Sequence, residues 1–78
     1  MKVYRLSEMD HGTLMSVRYF RNETKALQET ASAARVMEAM HEIKLIRNFV
    51  NQFGVVVVCT DRWPDATIEV RLEEGEVE

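Results

Sequence analysis

The stretch from Glu23 to Phe53 constrains the fold of this 78-residue chain most strongly. No glycine or proline occurs between Arg21 and Gly54, and strong helix formers such as alanine, leucine, glutamate and lysine dominate. Asn22 is a suitable N-cap, and Gly54 stands where a left-handed C-terminal residue is expected. The stretch therefore predicts one long helix of about 45 Å, at ~1.5 Å per residue.

The spacing of apolar residues in this stretch bears on whether the helix is continuous. These positions recur at a mean spacing shorter than the ~3.6 residues of a straight helix, so the apolar stripe drifts around the axis. Either the helix wraps around its partner or it breaks near residues 30–34, and we prefer the continuous helix. The stripe consists of Ala26, Thr30, Ala33, Val36, Met40, Ile43, Ile46, Val50 and Phe53.

A second group of residues lies on the opposite side of the predicted helix, at ~100° per residue. Small alanines in this group would let another helix approach closely, and Phe49 is a large side chain to leave in water. Two interpretations stay open: partial burial under loops of the same chain, or self-association as an antiparallel pair centred near Glu38. The predicted self-association residues are Leu27, Ala31, Ala34, Glu38, Leu45 and Phe49.

The segments on both sides of the helix have strand patterns. Residues 1–6 and 13–20 predict one hairpin, and residues 55–60 and 66–72 predict another. The order ββαββ predicts an α+β fold, a four-stranded mixed sheet with one long helix across one face. A single helix would make the second and third strands parallel. The run Val55 to Cys59 is apolar on both faces, which favours a central strand.

The charge is distributed unevenly along the chain. Net charge is −3, but residues 1–25 carry five bases and three acids, whereas residues 61–78 carry two bases and seven acids. We predict a single domain over residues 1–72 and a loose acidic tail over residues 73–78. Nothing resembles the basic surface of a nucleic-acid-binding protein. The acidic end is either a solvated tail or a contact for a basic protein surface.

Trp63 adds a second argument for a contact near this acidic end. A tryptophan beside Pro64 in a connection between strands either folds back over the sheet edge or serves as a binding hot spot. The predicted partner-binding residues are Asp61, Trp63, Asp65, Glu69, Glu73, Glu74 and Glu76.

No group of residues predicts catalysis, a cofactor or a metal ion. Asp10 and His11 would need further ligands, and the predicted topology places the 8–12 turn and the 61–65 connection at opposite ends of the sheet. We therefore interpret the pair as turn residues. His41 and Glu42 begin like a zinc-protease helix, but Leu45 stands where the second histidine would be.

The remaining signals predict a cytoplasmic protein. Cys59 is the only cysteine, cannot form an internal disulfide, and suits a reducing compartment. Its place at the end of an apolar strand indicates a core residue and not a nucleophile. The longest apolar run is too short to span a membrane, and the first residues begin a strand pattern instead of a signal peptide.

In size, acidity and lack of catalytic motifs, the chain resembles phage-encoded inhibitors of bacterial defence, including anti-CRISPR proteins. The resemblance includes no sequence motif and assigns no site residue. It implies stoichiometric binding to a nucleic-acid-handling complex, such as a CRISPR effector, that blocks access of nucleic acid or nuclease. The alternatives are a homodimeric structural or regulatory module and a small subunit of a host complex.

Overall fold

The chain forms two strand hairpins separated by two helices. The computed structural model describes residues 1–37, 39–63 and 66–77, and side chains outside residues 60–67. The four strands form one antiparallel sheet in the order β2-β1-β4-β3. This confirms the α+β class and the four strands, but the sheet is not mixed and the helix is not single. The elements are β1 Lys2–Asp10, β2 Thr13–Phe20, α1 Glu23–Val36, α2 Ile43–Phe53, β3 Val55–Trp63 and β4 Ala66–Glu76.

The predicted continuous helix is wrong, and the break lies later than residues 30–34. α1 ends at Val36 and α2 begins at Ile43. Ala34 and Ile46 are both buried, yet on one straight helix they would point about 120° apart, at ~100° per residue. A straight helix could not turn both residues toward one sheet. The break lets each half bury its own apolar side.

The second helix changes the topology of the sheet. A single helix would return the chain to the start of β2, but α2 adds another reversal, so β3 runs antiparallel to β2 and lies at the opposite edge. The predictions of parallel second and third strands and of a central β3 are therefore wrong. Asp10 and Thr60 both pair with Ile68. The 8–12 turn and the 61–65 connection thus lie at the same end of the sheet, contrary to the prediction.

The core lies between the two helices and one face of the sheet. The predicted stripe is only partly correct, because Val36 and Phe53 are 79% and 66% exposed. Thr30 is fully buried, and its hydroxyl donates to the Ala26 carbonyl at 2.8 Å, so the core contains this polar group without an unsatisfied donor. The buried apolar residues are Tyr4, Leu6, Ala26, Leu27, Ala31, Ala34, Met37, Ile46, Val50, Val56, Val58, Val70 and Leu72.

Residues 73–76 belong to β4 and do not form the loose tail that we predicted. They pair with residues 2–5 of β1, and Glu73 also pairs with Val55 of β3. The Glu74 amide donates to the Gly54 carbonyl at 2.8 Å, and the Val77 amide donates to the Met1 carbonyl at 2.9 Å. Acidic side chains do not prevent this pairing because bases of β1 lie beside them.

Gly54 offers a local test of the helix ending. It caps α2 with φ 73°, and its amide donates to the Val50 carbonyl at 2.8 Å. We expect Gly54→Ala to lower the free energy of unfolding by about 1 kcal/mol, because only glycine adopts this backbone without strain. Urea denaturation would measure the loss. Gly75→Ala is the matched control, since the added carbon would meet only the Val3 carbonyl oxygen at 3.9 Å. Equal losses in both variants would contradict the assignment.

Candidate functional site

One face of the sheet is uncovered by the helices. Leu6, Leu72 and Val56 form a buried cross-strand row beneath the helices. Since side chains alternate along a strand, the neighbouring row points to the other face. That row contains Arg5, which lies opposite both Tyr19 and Glu73. We call this uncovered side the open face.

Bases of the same chain pair with the acidic residues of β4. The Lys2 ammonium lies 2.9 Å from a Glu74 carboxylate oxygen, and the hydrogen bond and charge of Glu74 raise the pKa of Lys2. Glu73 lies between two arginines, 3.4 Å from Arg5 and 3.8 Å from Arg71. The uneven charge of the sequence is therefore partly neutralised within the fold, where β1 and β4 are neighbours.

These pairings weaken the prediction of an acidic partner-binding site. Glu69 and Glu73 belong to rows of the open face, whereas Glu74 pairs with buried Tyr4 on the helix side. Glu76 lies 3.3 Å from the amino terminus. The backbones of Asp61 and Trp63 belong to β3, but their side chains and Asp65 lie outside the described residues. The structure thus separates the described members of this group and engages three of them internally.

The predicted self-association surface is also divided, because the helix breaks within it. Leu27, Ala31 and Ala34 are buried in the core, so they cannot form a face for another chain. Leu45 and Phe49 lie on α2 and are 40% and 43% exposed. Glu38, the predicted centre of the pairing, lies outside the described residues. The predicted helix contact across the whole set is therefore wrong. Among its described residues, only Leu45 and Phe49 of α2 stay exposed.

Leu45 and Phe49 lie on the side of α2 that faces away from α1. Arg47 marks the α1 side, because its guanidinium lies 3.7 Å from the carboxylate of Glu23. At ~100° per residue, Leu45 and Phe49 lie on the other side of the buried Ile46. The rings of Phe49 and Phe53 are 6.0 Å apart between centroids and tilted by 34°.

β3 lies beneath α2 and forms one edge of the sheet. No strand among the described residues pairs with its outer side. Val57 and Cys59 are exposed, so the predicted core position of Cys59 is wrong. Val55 to Cys59 includes neither charge nor proline, the usual protections of an edge strand. We call the exposed α2 residues Leu45, Phe49 and Phe53, together with β3 residues 55–59, the outer edge.

Sequence reasoning found Phe49 but missed the edge strand. A run that is apolar on both faces fits either a central strand, as predicted from the sequence, or an edge strand that another chain covers. The sequence signal for a covered edge strand is that Val55 to Cys59 contains no charged residue that would protect it from pairing with another chain.

The polar groups at the other end of the sheet form a small local cluster. The Nδ1 atom of His11 lies 2.5 Å from a carboxylate oxygen of Asp10, and His11 has φ 51°, consistent with a turn. Among the described residues, no three histidine, cysteine, aspartate or glutamate side chains are grouped to hold a metal ion. Within the same part of the chain, neither helix has the length and apolar character needed to cross a bilayer.

Tyr4 provides a pH-dependent test of the packing. Burial, together with the nearby Glu23 carboxylate, raises the pKa of Tyr4 above its usual value of 10.0, and its hydroxyl donates to Glu23 at 3.4 Å. A raised folded-state pKa means that this stabilisation is complete below the unfolded pKa. It is lost as the pH rises through the folded pKa. We expect urea denaturation above pH 10 to show falling stability, less so in Tyr4→Phe. An equal fall in both proteins would contradict this role.

A scan of protein families and searches of curated proteins and of solved structures found no match to this chain. Two surfaces of the chain are candidates for a contact with another molecule: the charge-paired open face and the outer edge.

Proposed function

We propose that this chain is a non-enzymatic protein-binding module whose contact surface is the outer edge. One observation carries the proposal: exposed Phe49 and Phe53 lie beside an edge strand that has no charged residue from Val55 to Cys59. The rings lie on the helix side of the sheet, whereas exposed Val57 and Cys59 belong to rows of the open face, and the edge of β3 joins the two. Exposed aromatic side chains often dominate the affinity of a protein contact. A protein partner would cover the rings and pair with the free side of the strand.

Site-specific photo-crosslinking in the source cell tests this proposal. A photoreactive phenylalanine analogue at position 49 or 53 should give protein adducts in high yield. The matched control is position 15, because Met15 is also an exposed apolar residue but lies on β2, the opposite edge of the sheet. Adducts of equal yield from positions 49 and 15, or none from positions 49 and 53, would contradict the outer edge as the contact surface.

An anti-CRISPR-type inhibitor is the more specific form of this function. It is supported by the short, acidic chain without catalytic motifs, and it predicts binding to a CRISPR effector complex that blocks nucleic acid or nuclease. Internal pairing of Glu73, Glu74 and Glu76 favours contact through the outer edge over contact through the acidic strand.

A plaque assay separates this specific form from the general one. Expression of the chain in CRISPR-active bacteria should restore phage growth, and Phe49→Asp should abolish the recovery while leaving the circular dichroism spectrum unchanged. Unrestored growth across the common CRISPR types would reject the inhibitor and leave a homodimeric module or a subunit of a host complex.

A further inference from the structure

We infer that the occupant of the outer edge is a second copy of this chain, joined through antiparallel pairing of β3 with β3. This inference depends on the proposed function, because it takes the outer edge to be a protein contact. It names the partner by three properties of that edge: its backbone, its side chains and its dimensions.

The first property is the backbone of β3. Among the described strands, β3 pairs with β4 alone, so the backbone amides and carbonyls on its other side have no strand partner there. Another extended strand satisfies such groups in register, and an identical strand in antiparallel orientation does so with closed two-fold symmetry. The result would be one continuous eight-stranded sheet made from two four-stranded sheets.

The side chains of β3 suit pairing with themselves. The uncharged run Val55 to Cys59 has Val57 at its centre, so a two-fold axis there sets Val57 against Val57 and Val56 against Val58 of the other copy. Pairs of β-branched residues across strands are favourable, and no like charges meet within the run.

The side chains of α2 agree with the same axis. The pairing brings the two α2 helices together on their outer sides, where Phe49 and Leu45 are exposed. Arg47 points toward α1, and Lys44 lies about 160° from buried Ile46, at ~100° per residue, so neither cation faces the contact. By the same measure Gln52 lies beside Leu45, so this second layer is partly polar and carries no cation.

The dimensions of the edge indicate a small contact. The paired run 55–59 is about 17 Å long at ~3.3 Å per residue, and the 11 residues of α2 have about the same length at ~1.5 Å per residue. With two layers about 20 Å high, the contact would bury on the order of 350 Å² per copy, or about 700 Å² in total, as in weak and transient complexes. A domain of this size buries only ~60–65% of its unfolded surface, so added burial would contribute substantially to stability.

The first test measures mass in solution. Light scattering and sedimentation of the purified chain at 1–200 µM should show a species of twice the 9.1 kDa chain mass. Val57→Lys and Phe49→Asp should each raise the dimer dissociation constant at least tenfold. Met15→Lys, on the other edge of the sheet, should leave it unchanged. A monomer over this whole range, or a dimer that neither edge variant weakens, would overturn the inference.

A second test does not depend on the folding of a charged variant. In a Cys59→Ser background, Val57→Cys should form an intermolecular disulfide on mild oxidation, whereas Met15→Cys should form it at least tenfold more slowly. Equal rates would overturn the inference. If the chain is a monomer but position 49 still crosslinks to other proteins, the proposed function stands and only the second copy is rejected.

Discussion

Replacing Leu27 by alanine should lower the free energy of unfolding by about 3 kcal/mol, measured by urea denaturation with circular dichroism. Leu27 is 1% exposed and belongs to the hydrophobic core. The change removes buried methyl groups and leaves a cavity, a loss that typically costs ~2–5 kcal/mol. At the lower end of a total stability of about 4–12 kcal/mol, such a loss leaves about 15% of the molecules unfolded.

Leu45→Ala is the matched control for this prediction. It deletes the same atoms from a residue that is 40% exposed, so we expect a loss of less than about 1 kcal/mol. The comparison distinguishes the core role of Leu27 from the helix–helix contact that the sequence pattern suggests. A Leu27→Ala variant with unchanged stability but weaker self-association would restore the helix–helix contact.

A chain that ends at Leu72 should fail to fold at 25 °C, as judged by circular dichroism and amide exchange. The deletion removes the pairing of residues 73–76 with β1 and the bond from the Glu74 amide to the Gly54 carbonyl. At about 0.5–1.5 kcal/mol for each backbone hydrogen bond, the loss approaches the whole stability of the domain. It also uncovers Tyr4 at the end of the core.

Charge removal without truncation separates the backbone from the ion pairs. A variant with Glu73→Gln, Glu74→Gln and Glu76→Gln retains the strand but loses its carboxylates. These ion pairs are solvent-exposed to different extents, so we expect the variant to stay folded with a loss of about 1 kcal/mol or less. A truncated chain with native stability would show that residues 73–76 are the loose tail predicted from composition.

Local chemistry made several features predictable from the sequence. The Asn22 side chain accepts a hydrogen bond from the Lys25 amide at 2.9 Å, and Gly54 adopts the left-handed conformation, so both predicted helix signals are confirmed. The turn at Gly12 and the four strand patterns likewise depend on residues close together in sequence. Each of these signals is contained within a few residues.

The break after Val36 could not be predicted in the same way. Neither glycine nor proline marks it, and all of residues 37–42 except His41 are strong helix formers. The break depends on which sides of α1 and α2 must meet one sheet, a property of packing between distant segments. The predicted parallel direction of the second and third strands followed from the continuous helix, so the error in the helix carried into the strand direction.

The candidate site shows the same division. Charge asymmetry directed attention to Glu73 and Glu74, but the neighbouring positions of β1 and β4 place Lys2 and Arg5 beside them. Phe49 can be identified from the sequence because its large ring lies outside the predicted apolar stripe of the helix. The edge position of β3 depends on the order of strands, which no short segment encodes.

The central place of β4 has a consequence for synthesis on the ribosome. β4 lies between β1 and β3, yet it is translated after both of them. Until residues 66–76 emerge, the nascent chain has two strands with vacant inner sides and a core without Val70 and Leu72. At roughly 5–20 residues per second, this interval is on the order of one second. Cooperative folding must then await the last strand, since β1 and β4 join sequence-distant parts of the chain.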